Sequence, residues 1–97
     1  MRKQPCVYIL ASRRNGTIYV GVTSSIRHRA WQHRTGLVAG FTKKYGVKRL
    51  VHHEHFETMR EALTRENQLK SWSRRRKLEL IETSNKQWRD LFEDLFT

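Results

Sequence analysis

The chain has 97 residues, a length that suits a single modest core, and we expect residues 1–97 to form one domain. Its 20 Lys and Arg residues against 9 Asp and Glu give a formal net charge of +11, which favours a polyanionic partner such as nucleic acid over a basic but inert surface. A single cysteine excludes an internal disulfide and a cysteine zinc cluster, and no stretch approaches the roughly 20 apolar residues of a membrane span, so we expect a cytoplasmic protein without a membrane partner.

The N-terminal segment predicts a β-hairpin. Cys6–Ala11 and Thr17–Val22 are rich in β-branched and aromatic residues, and between them lies Arg13-Arg14-Asn15-Gly16, in which Asn-Gly supplies the positive φ of a tight turn. If the loop holds an even number of residues, Tyr8 and Tyr19 lie on the same face of the sheet. The default role of such tyrosines is packing in a half-buried sheet.

A first helix is predicted after the hairpin. Thr23 or Ser24 can cap it, and it should run to about Thr35, just before a glycine. Arg29 and His33 are four positions apart and leave this helix on one face, where a guanidinium can clamp a phosphate and an imidazole can relay a proton. The same pair is also typical of a solvated polar face.

The segment Leu37–Val47 has no clear period and is predicted to be a basic loop. Lys43 and Lys44 make this segment a candidate contact for nucleic acid, as does the basic tract Arg74–Lys77 further along the chain. We expect specificity to come from one of these two segments or from a protein partner.

A third strand is predicted over Arg49–Phe56. His53 and His55 would share one face of this strand, as a pair of metal ligands would. Two ligands on a strand do not complete a tetrahedral zinc site, however, and the sequence favours a solvated or nucleic-acid-facing strand.

A long helix should begin at the capping box Thr58–Glu61, in which threonine and glutamate cover each other's free amides. The apolar stripe of this helix comprises Met59, Ala62, Leu63, Leu69 and Trp72. Glu66 lies on the stripe, where a buried carboxylate needs a cation, and its hard oxygen ligands suit Mg²⁺. The alternative is a salt bridge to a nearby arginine or a stripe edge that is open to solvent.

The C-terminal part is predicted to be helical. Ser73 should break or recap the long helix, and Leu78–Ile81 should form a further short one. A turn at Thr83–Asn85 then precedes a predicted amphipathic helix over Trp88–Phe96. The order of elements predicts an α+β fold, in which a small three-stranded, mainly antiparallel sheet is flanked by helices.

Taken together, these positions resemble the GIY-YIG nuclease superfamily. Cys6-Val7-Tyr8 stands where Gly-Ile-Tyr would and Tyr19-Val20-Gly21 where Tyr-Ile-Gly would, and both are followed by Arg29, His33 and Glu66. Segments 66–74 and 85–91 are similar to the small standalone bacterial, UPF0213-like members. The main departure is Cys6, which replaces the first glycine; the glycine of the second motif is retained, which fits a close approach of the backbone to a ligand.

The resemblance implies a GIY-YIG endonuclease-like fold and a role for each of these residues. Tyr8 and Tyr19 would position or deprotonate the attacking water, and we expect Arg29 and a metal to lower the ordinary phenol pKa of about 10 toward a useful range. Arg29 would also stabilise the charge on the phosphorus centre, and His33 would hydrogen-bond or shuttle a proton. Glu66 would hold one Mg²⁺ or Mn²⁺.

The resemblance therefore implies a metal-dependent endonuclease that hydrolyses phosphodiester bonds in DNA. A compact basic groove with scattered aromatic residues suits exposed bases, which favours single-stranded or structured DNA in repair, recombination or DNA processing as the substrate, with RNA left open. The alternative is a non-catalytic basic module that binds DNA or RNA. The tyrosine pair and the stripe carboxylate favour the enzyme, because binding alone would not require them. The residues expected to contact nucleic acid are Arg27, Lys43, Lys44, Lys70, Arg74, Arg75 and, as the family's late asparagine, Asn85.

Overall fold

The computed structural model describes residues 4–38 and 40–97. It confirms the α+β fold with a three-stranded antiparallel sheet. The elements, in chain order, are β1 (Cys6–Ala11), β2 (Ile18–Thr23), α1 (Ile26–Arg34), α2 (Phe41–Lys44), β3 (Arg49–His55), α3 (Met59–Ser71), α4 (Arg74–Ser84) and a closing 3-10 turn (Glu93–Phe96). No helix in the described part of the chain is both long and apolar enough to cross a membrane.

Strand β1 is the central strand of the sheet, in the order β2-β1-β3, and all six of its residues are buried. Helices cover both faces. The odd-numbered face of β1 packs in a cluster with Ala62 and Leu69 of α3, Ile81 of α4 and Trp88. The even-numbered face packs with α1 and with Leu95 of the 3-10 turn, so it is this face that α1 can reach with its polar side chains.

The hairpin has the predicted even register. Tyr8 pairs with Gly21 and Leu10 pairs with Tyr19, so the two tyrosines share one face of the sheet. Ser12 and Thr17 close the four-residue loop, and Asn15 supplies its positive φ of 59°. Gly16 is needed for space, because a Cβ at this position would lie 2.4 Å from Ser12 Oγ.

The start of α1 differs from the prediction. Its N-cap is Ser25 and not Thr23 or Ser24. Thr23 acts one step earlier, because its hydroxyl accepts a hydrogen bond from the Ser25 amide at 3.1 Å and thereby fixes the entry to the helix. The helix ends at Arg34, two residues before Gly36, the glycine that was expected to end it.

The predicted loop Leu37–Val47 was wrong in one respect, because it contains the helical turn α2. The sequence of this turn has no helical period, and its one buried side chain is Thr42.

In α3 the capping box is confirmed, with the Thr58 hydroxyl accepting from the Glu61 amide and the Glu61 carboxylate accepting from the Thr58 amide. Leu63 was wrongly placed on the buried stripe and is 44% exposed.

The predicted helix over Trp88–Phe96 was wrong. Trp88 has a positive φ of 57°, which a helix excludes, and its ring is fully buried under the sheet. The following residues bond to β3 instead: the Leu91 amide donates to the Leu50 carbonyl at 2.7 Å, and the Leu50 amide donates to Asp90 Oδ1 at 3.1 Å. These bonds occupy backbone groups that a helix would have used, and only the 3-10 turn at Glu93–Phe96 remains helical.

Candidate active site

A continuous series of hydrogen bonds links the Tyr8 hydroxyl of β1, the His33 imidazole of α1 and the Thr42 hydroxyl of α2. Tyr8 Oη lies 3.3 Å from His33 Nε2, and His33 Nδ1 lies 3.1 Å from Thr42 Oγ1. All three side chains are buried. Because a neutral imidazole carries one N–H and one lone pair, it can accept from the tyrosine while it donates to the threonine, or the reverse. This hydrogen-bonded series can therefore pass a proton between Tyr8 and Thr42 without exposing a charge to solvent.

Gly21 leaves space for the phenol of Tyr8, which lies at one end of this hydrogen-bonded series. A Cβ at position 21 would lie 2.5 Å from both Cζ and Oη of Tyr8 and 2.9 Å from Cε2 of Tyr19. The close approach expected at this glycine is thus made by a side chain of the protein itself. The absence of a side chain at position 21 therefore leaves the space that both tyrosine rings occupy.

Tyr19 completes an aromatic cluster at the edge of the sheet. Its ring centre lies 6.4 Å from that of Tyr8 and 5.9 Å from that of His33. On its other side Phe41 stacks with Tyr19 at 6.4 Å, and Tyr45 follows at 4.9 Å from Phe41. Phe41 and Tyr45 are about half exposed, so the cluster leads from a buried phenol to an open aromatic surface.

The electrostatics of Tyr8 differ from the expectation. Burial raises its pKa, as do the nearby Tyr19 and the charge of Glu66, whereas the charge of Arg29 lowers it by less. The protein without a metal therefore holds Tyr8 as a neutral phenol. The pKa of His33 is lowered, first by burial and then by Arg29, so its imidazole is also neutral at neutral pH.

Glu66 lies close enough to this cluster for its charge to act on Tyr8. Its side chain is only 13% exposed, and its Oε2 forms a salt bridge with Lys70 Nζ at 3.3 Å, one helical turn further on. The predicted alternative of an arginine partner is thus replaced by a lysine. The second oxygen of Glu66 accepts no hydrogen bond from the described residues, and a hard carboxylate oxygen whose charge acts on the Tyr8 phenol fits a Mg²⁺ or Mn²⁺ ion that completes its shell with water and phosphate.

Two of the residues predicted to contact nucleic acid also have hydrogen-bond partners within the fold. Arg27 Nε donates to the Leu95 carbonyl at 2.6 Å and ties α1 to the 3-10 turn. Arg74 donates to the carbonyls of the hairpin loop, at 3.0 Å to Asn15 and 2.6 Å to Gly16. Both arginines therefore have structural partners that any phosphate would have to share.

Asn85 is buried and caps the end of α4. Its Nδ2 donates to the carbonyls of Val51 and Arg89 at 3.1 and 2.7 Å, and its Oδ1 accepts from the Arg89 amide at 2.9 Å. Both amide protons are thus used within the chain. The contact of Asn85 with nucleic acid stays a prediction, and a phosphate at this place would have to compete with these bonds within the chain.

The remaining predicted contacts are more accessible. Lys43 and Lys44 are exposed on α2, next to the aromatic surface, and Lys44 Nζ lies 5.4 Å from the centre of the Tyr45 ring. Arg75 is exposed and forms a salt bridge with Glu79 at 3.2 Å. Cations of this kind can exchange a weak surface partner for a phosphate at little cost.

Two residues of the site, Thr42 and Phe41, were missed by sequence reasoning. Both lie in the segment without a period, where no pattern assigns a face to a side chain. The weak signal for Phe41 was an aromatic residue close to two lysines. Thr42 gave no signal, because its role depends on the position of His33 in the folded chain.

Comparison with known proteins identifies the family of this chain. Residues 4–79 match the model of the GIY-YIG catalytic domain. A UPF0213 protein of Staphylococcus saprophyticus is 39% identical over 75 residues, covering 77% of this chain and 90% of its relative, and one of Clostridium perfringens is 37% identical over 79 residues, covering 81% and 84%. The solution NMR structure of a UPF0213 protein from Bacillus halodurans is 31% identical with a TM-score of 0.57, covering 90% of this chain and 92% of that one. The chain therefore belongs to the GIY-YIG family of nuclease domains, in its UPF0213 group of small bacterial proteins.

Proposed function

We propose that this protein is a metal-dependent endonuclease that hydrolyses phosphodiester bonds in DNA. The observation that carries the proposal is Glu66, a largely enclosed carboxylate whose charge reaches the Tyr8 phenol on the sheet. A protein that only binds nucleic acid gains nothing from an acidic group at this place, since the group would repel the phosphate. A nuclease needs it to hold a cation.

The proton route follows from the raised pKa of Tyr8. A preformed phenolate is disfavoured, so Tyr8 acts as a relay: it takes a proton from the attacking water as its own proton moves to Nε2 of His33. His33 then donates through Nδ1 to Thr42, which holds the imidazole in the accepting tautomer. After the bond is broken, the departing 3′ oxygen takes a proton from a water molecule, and His33 returns its proton through Tyr8 to the hydroxide that remains, so that no net charge is left in the site.

We assign the stabilisation of the phosphate to two charges near Tyr8, the guanidinium of Arg29 and a cation held by Glu66. Arg29, on the same helix as His33, supplies a guanidinium to the charge that develops on the phosphoryl oxygens. When bound to Glu66, Mg²⁺ or Mn²⁺ supplies the Lewis acidity that polarises the phosphate and stabilises the departing 3′ oxygen. Tyr19, whose ring centre lies 6.4 Å from that of Tyr8, would hydrogen-bond the water or a phosphoryl oxygen.

The surface beside the site favours DNA with unpaired bases. Phe41 and Tyr45 present exposed rings next to Tyr19, and Lys43 and Lys44 flank them. Aromatic rings bind bases by stacking only where those bases are not paired, whereas the lysines bind any phosphate. We therefore propose single-stranded or branched DNA as the substrate, with repair, recombination or other DNA processing as the setting.

The test is cleavage of labelled single-stranded, duplex and branched DNA and of RNA, with Mg²⁺ or Mn²⁺ and with EDTA. Glu66→Gln removes the charge and keeps the shape, and Glu79→Gln is its matched control, because Glu79 also pairs with a cation one turn away on a helix. We expect metal-dependent cutting that Glu66→Gln abolishes and Glu79→Gln retains, with DNA affinity nearly unchanged in both. Tight, salt-sensitive binding without cutting on any substrate would instead favour the binding module.

A further inference from the structure

A second group of metal-ligating side chains lies on the same face of the sheet, between β1 and β3. Cys6 pairs with His55 across these strands, and Tyr8 pairs with His53, so the cysteine and both histidines point to one side. One donor atom of each, Cys6 Sγ and a ring nitrogen of each histidine, lies within 4.8 Å of the other two. His53 Nδ1 and His55 Nε2 lie 3.0 Å apart.

These separations are close to those of a tetrahedral metal centre. With metal–nitrogen bonds of about 2.0–2.1 Å and metal–sulfur bonds of about 2.3 Å, ligand atoms lie about 3.3–3.6 Å apart. The two imidazole nitrogens need to separate by only a few tenths of an ångström, and the thiol sulfur, which lies within 4.8 Å of each, needs to approach them by about 1.2 Å at most. In the protein without a metal, the contact between the histidines is a hydrogen bond that requires an N–H on one of them, and a cation would take the place of that proton.

The surroundings of the cluster suit a cation that enters from the surface and is then enclosed. Cys6 is fully buried, His53 is half-buried and His55 is exposed, so the ligands form a path from solvent to the thiol. Burial and the neighbouring His55 and His52 lower the pKa of His53, which keeps its lone pair available at neutral pH. Asp94 lies near enough to His53 for its charge to act there, although it is paired with Arg89 at 2.8 Å.

We propose that Cys6, His53 and His55 form a binding site for Zn²⁺ that joins β1 to β3, with His53 as the cross-strand partner of Tyr8. A thiolate and two imidazoles suit Zn²⁺ and other borderline cations and do not suit Mg²⁺, so this site is chemically distinct from the carboxylate site at Glu66. The fourth position is left to a water molecule. Binding replaces the thiol proton by the metal and releases that proton to solvent, which offsets part of the affinity because burial raises the pKa of Cys6 to about 12.

The site is tested with the full chain, stripped of metal, by titration with Zn²⁺ in competition with a chromogenic chelator, and with Co²⁺ as a spectroscopic probe. We expect one equivalent of Zn²⁺ per chain and a thiolate-to-cobalt charge-transfer band. His55→Ala and Cys6→Ser should each weaken Zn²⁺ binding by at least about tenfold and remove that band or alter it. His28→Ala, a change at an exposed histidine on α1, is the matched control and should bind as the unchanged protein does.

Thermal unfolding gives a second readout that does not depend on nuclease activity. Zn²⁺ should raise the melting temperature of the unchanged protein and of His28→Ala, and should leave that of His55→Ala in place. Because His55 is exposed, its replacement should not prevent folding, whereas Cys6→Ser changes a buried position and is checked by circular dichroism. Absence of binding, binding that survives His55→Ala, or a cobalt spectrum without a thiolate band would each overturn the proposal.

Discussion

Gly21 faces Tyr8 across the β1–β2 ladder, and the Tyr8 phenol occupies the space that a side chain at position 21 would need. A glycine inside a strand normally weakens it, so its presence here reflects the demand of the neighbouring ring. Gly21 belongs to the second half of the family motif, and it gives the Tyr8 hydroxyl the space in which it hydrogen-bonds with His33.

Gly21→Ala should therefore destabilise the protein, although alanine is the better strand residue. The added methyl group would lie 2.5 Å from Tyr8 Oη and would force the ring away from His33, at a cost of about 1–3 kcal/mol in the free energy of unfolding. Urea denaturation measures this change. Gly36→Asn is the control, since position 36 has open space and a φ of 76° that asparagine tolerates. Equal stability of Gly21→Ala and the unchanged protein would show that Tyr8 can move without loss.

Thr42→Val should impair cleavage more than folding. It keeps the shape of the buried side chain but removes the hydroxyl 3.1 Å from His33 Nδ1, which leaves the tautomer of the imidazole undetermined. We expect turnover to fall by about tenfold or more, because proton transfer depends on that tautomer. Thr42→Ser keeps the hydroxyl and should restore most of the rate in single-turnover assays. A serine variant as slow as the valine variant would mean that Thr42 acts through packing alone.

The protein should lose stability as the pH falls below about 6.5. The pKa values of His33 and His53 are lowered from the ordinary 6.5 in the folded state, mainly by burial. Above 6.5 these histidines are neutral in both states and the stability is fully present, whereas at lower pH the unfolded chain binds protons that the folded chain does not, until the folded pKa values are reached. Urea denaturation over a pH series measures this loss.

His33→Gln should flatten that pH dependence, because it removes one of the two groups. The exposed His28, replaced in the same way, serves as the comparison. If the free energy of unfolding falls as steeply in His33→Gln as in the unchanged protein, His33 does not contribute to it.

Sequence alone predicts the features that depend on a short period. The alternation of a strand and an even loop place Tyr8 and Tyr19 on one face, and the period of α3 places Glu66 beside buried Ala62 and Leu69. These inferences need only local geometry. They are enough to bring out the fold class and the family resemblance.

Features that depend on contacts between distant segments were missed. Cys6 meets His55 only because β1 and β3 pair in one particular register, which includes an irregularity at Ile9 and Leu10. The tail after Trp88 bonds to Leu50 of β3 rather than forming the amphipathic helix that its apolar residues suggest. A single sequence does not show which distant segments pair, so the prediction for these segments rested on periodicity alone.

The α2 lysines offer the sharpest test of how DNA is held. Replacing Lys43 and Lys44 with alanine should weaken binding to single-stranded DNA and reduce the slope of log affinity against log salt by roughly 0.7 for each lost phosphate contact. Fluorescence anisotropy at several salt concentrations measures that slope. The charge-matched control replaces Arg13 and Lys86, which are exposed near the Arg14–Gln87 hydrogen bond at the hairpin loop. An equal loss of slope in both double variants would mean that net charge, and not the surface around Phe41 and Tyr45, governs binding; a change confined to the α2 variant would place the DNA strand beside Tyr19.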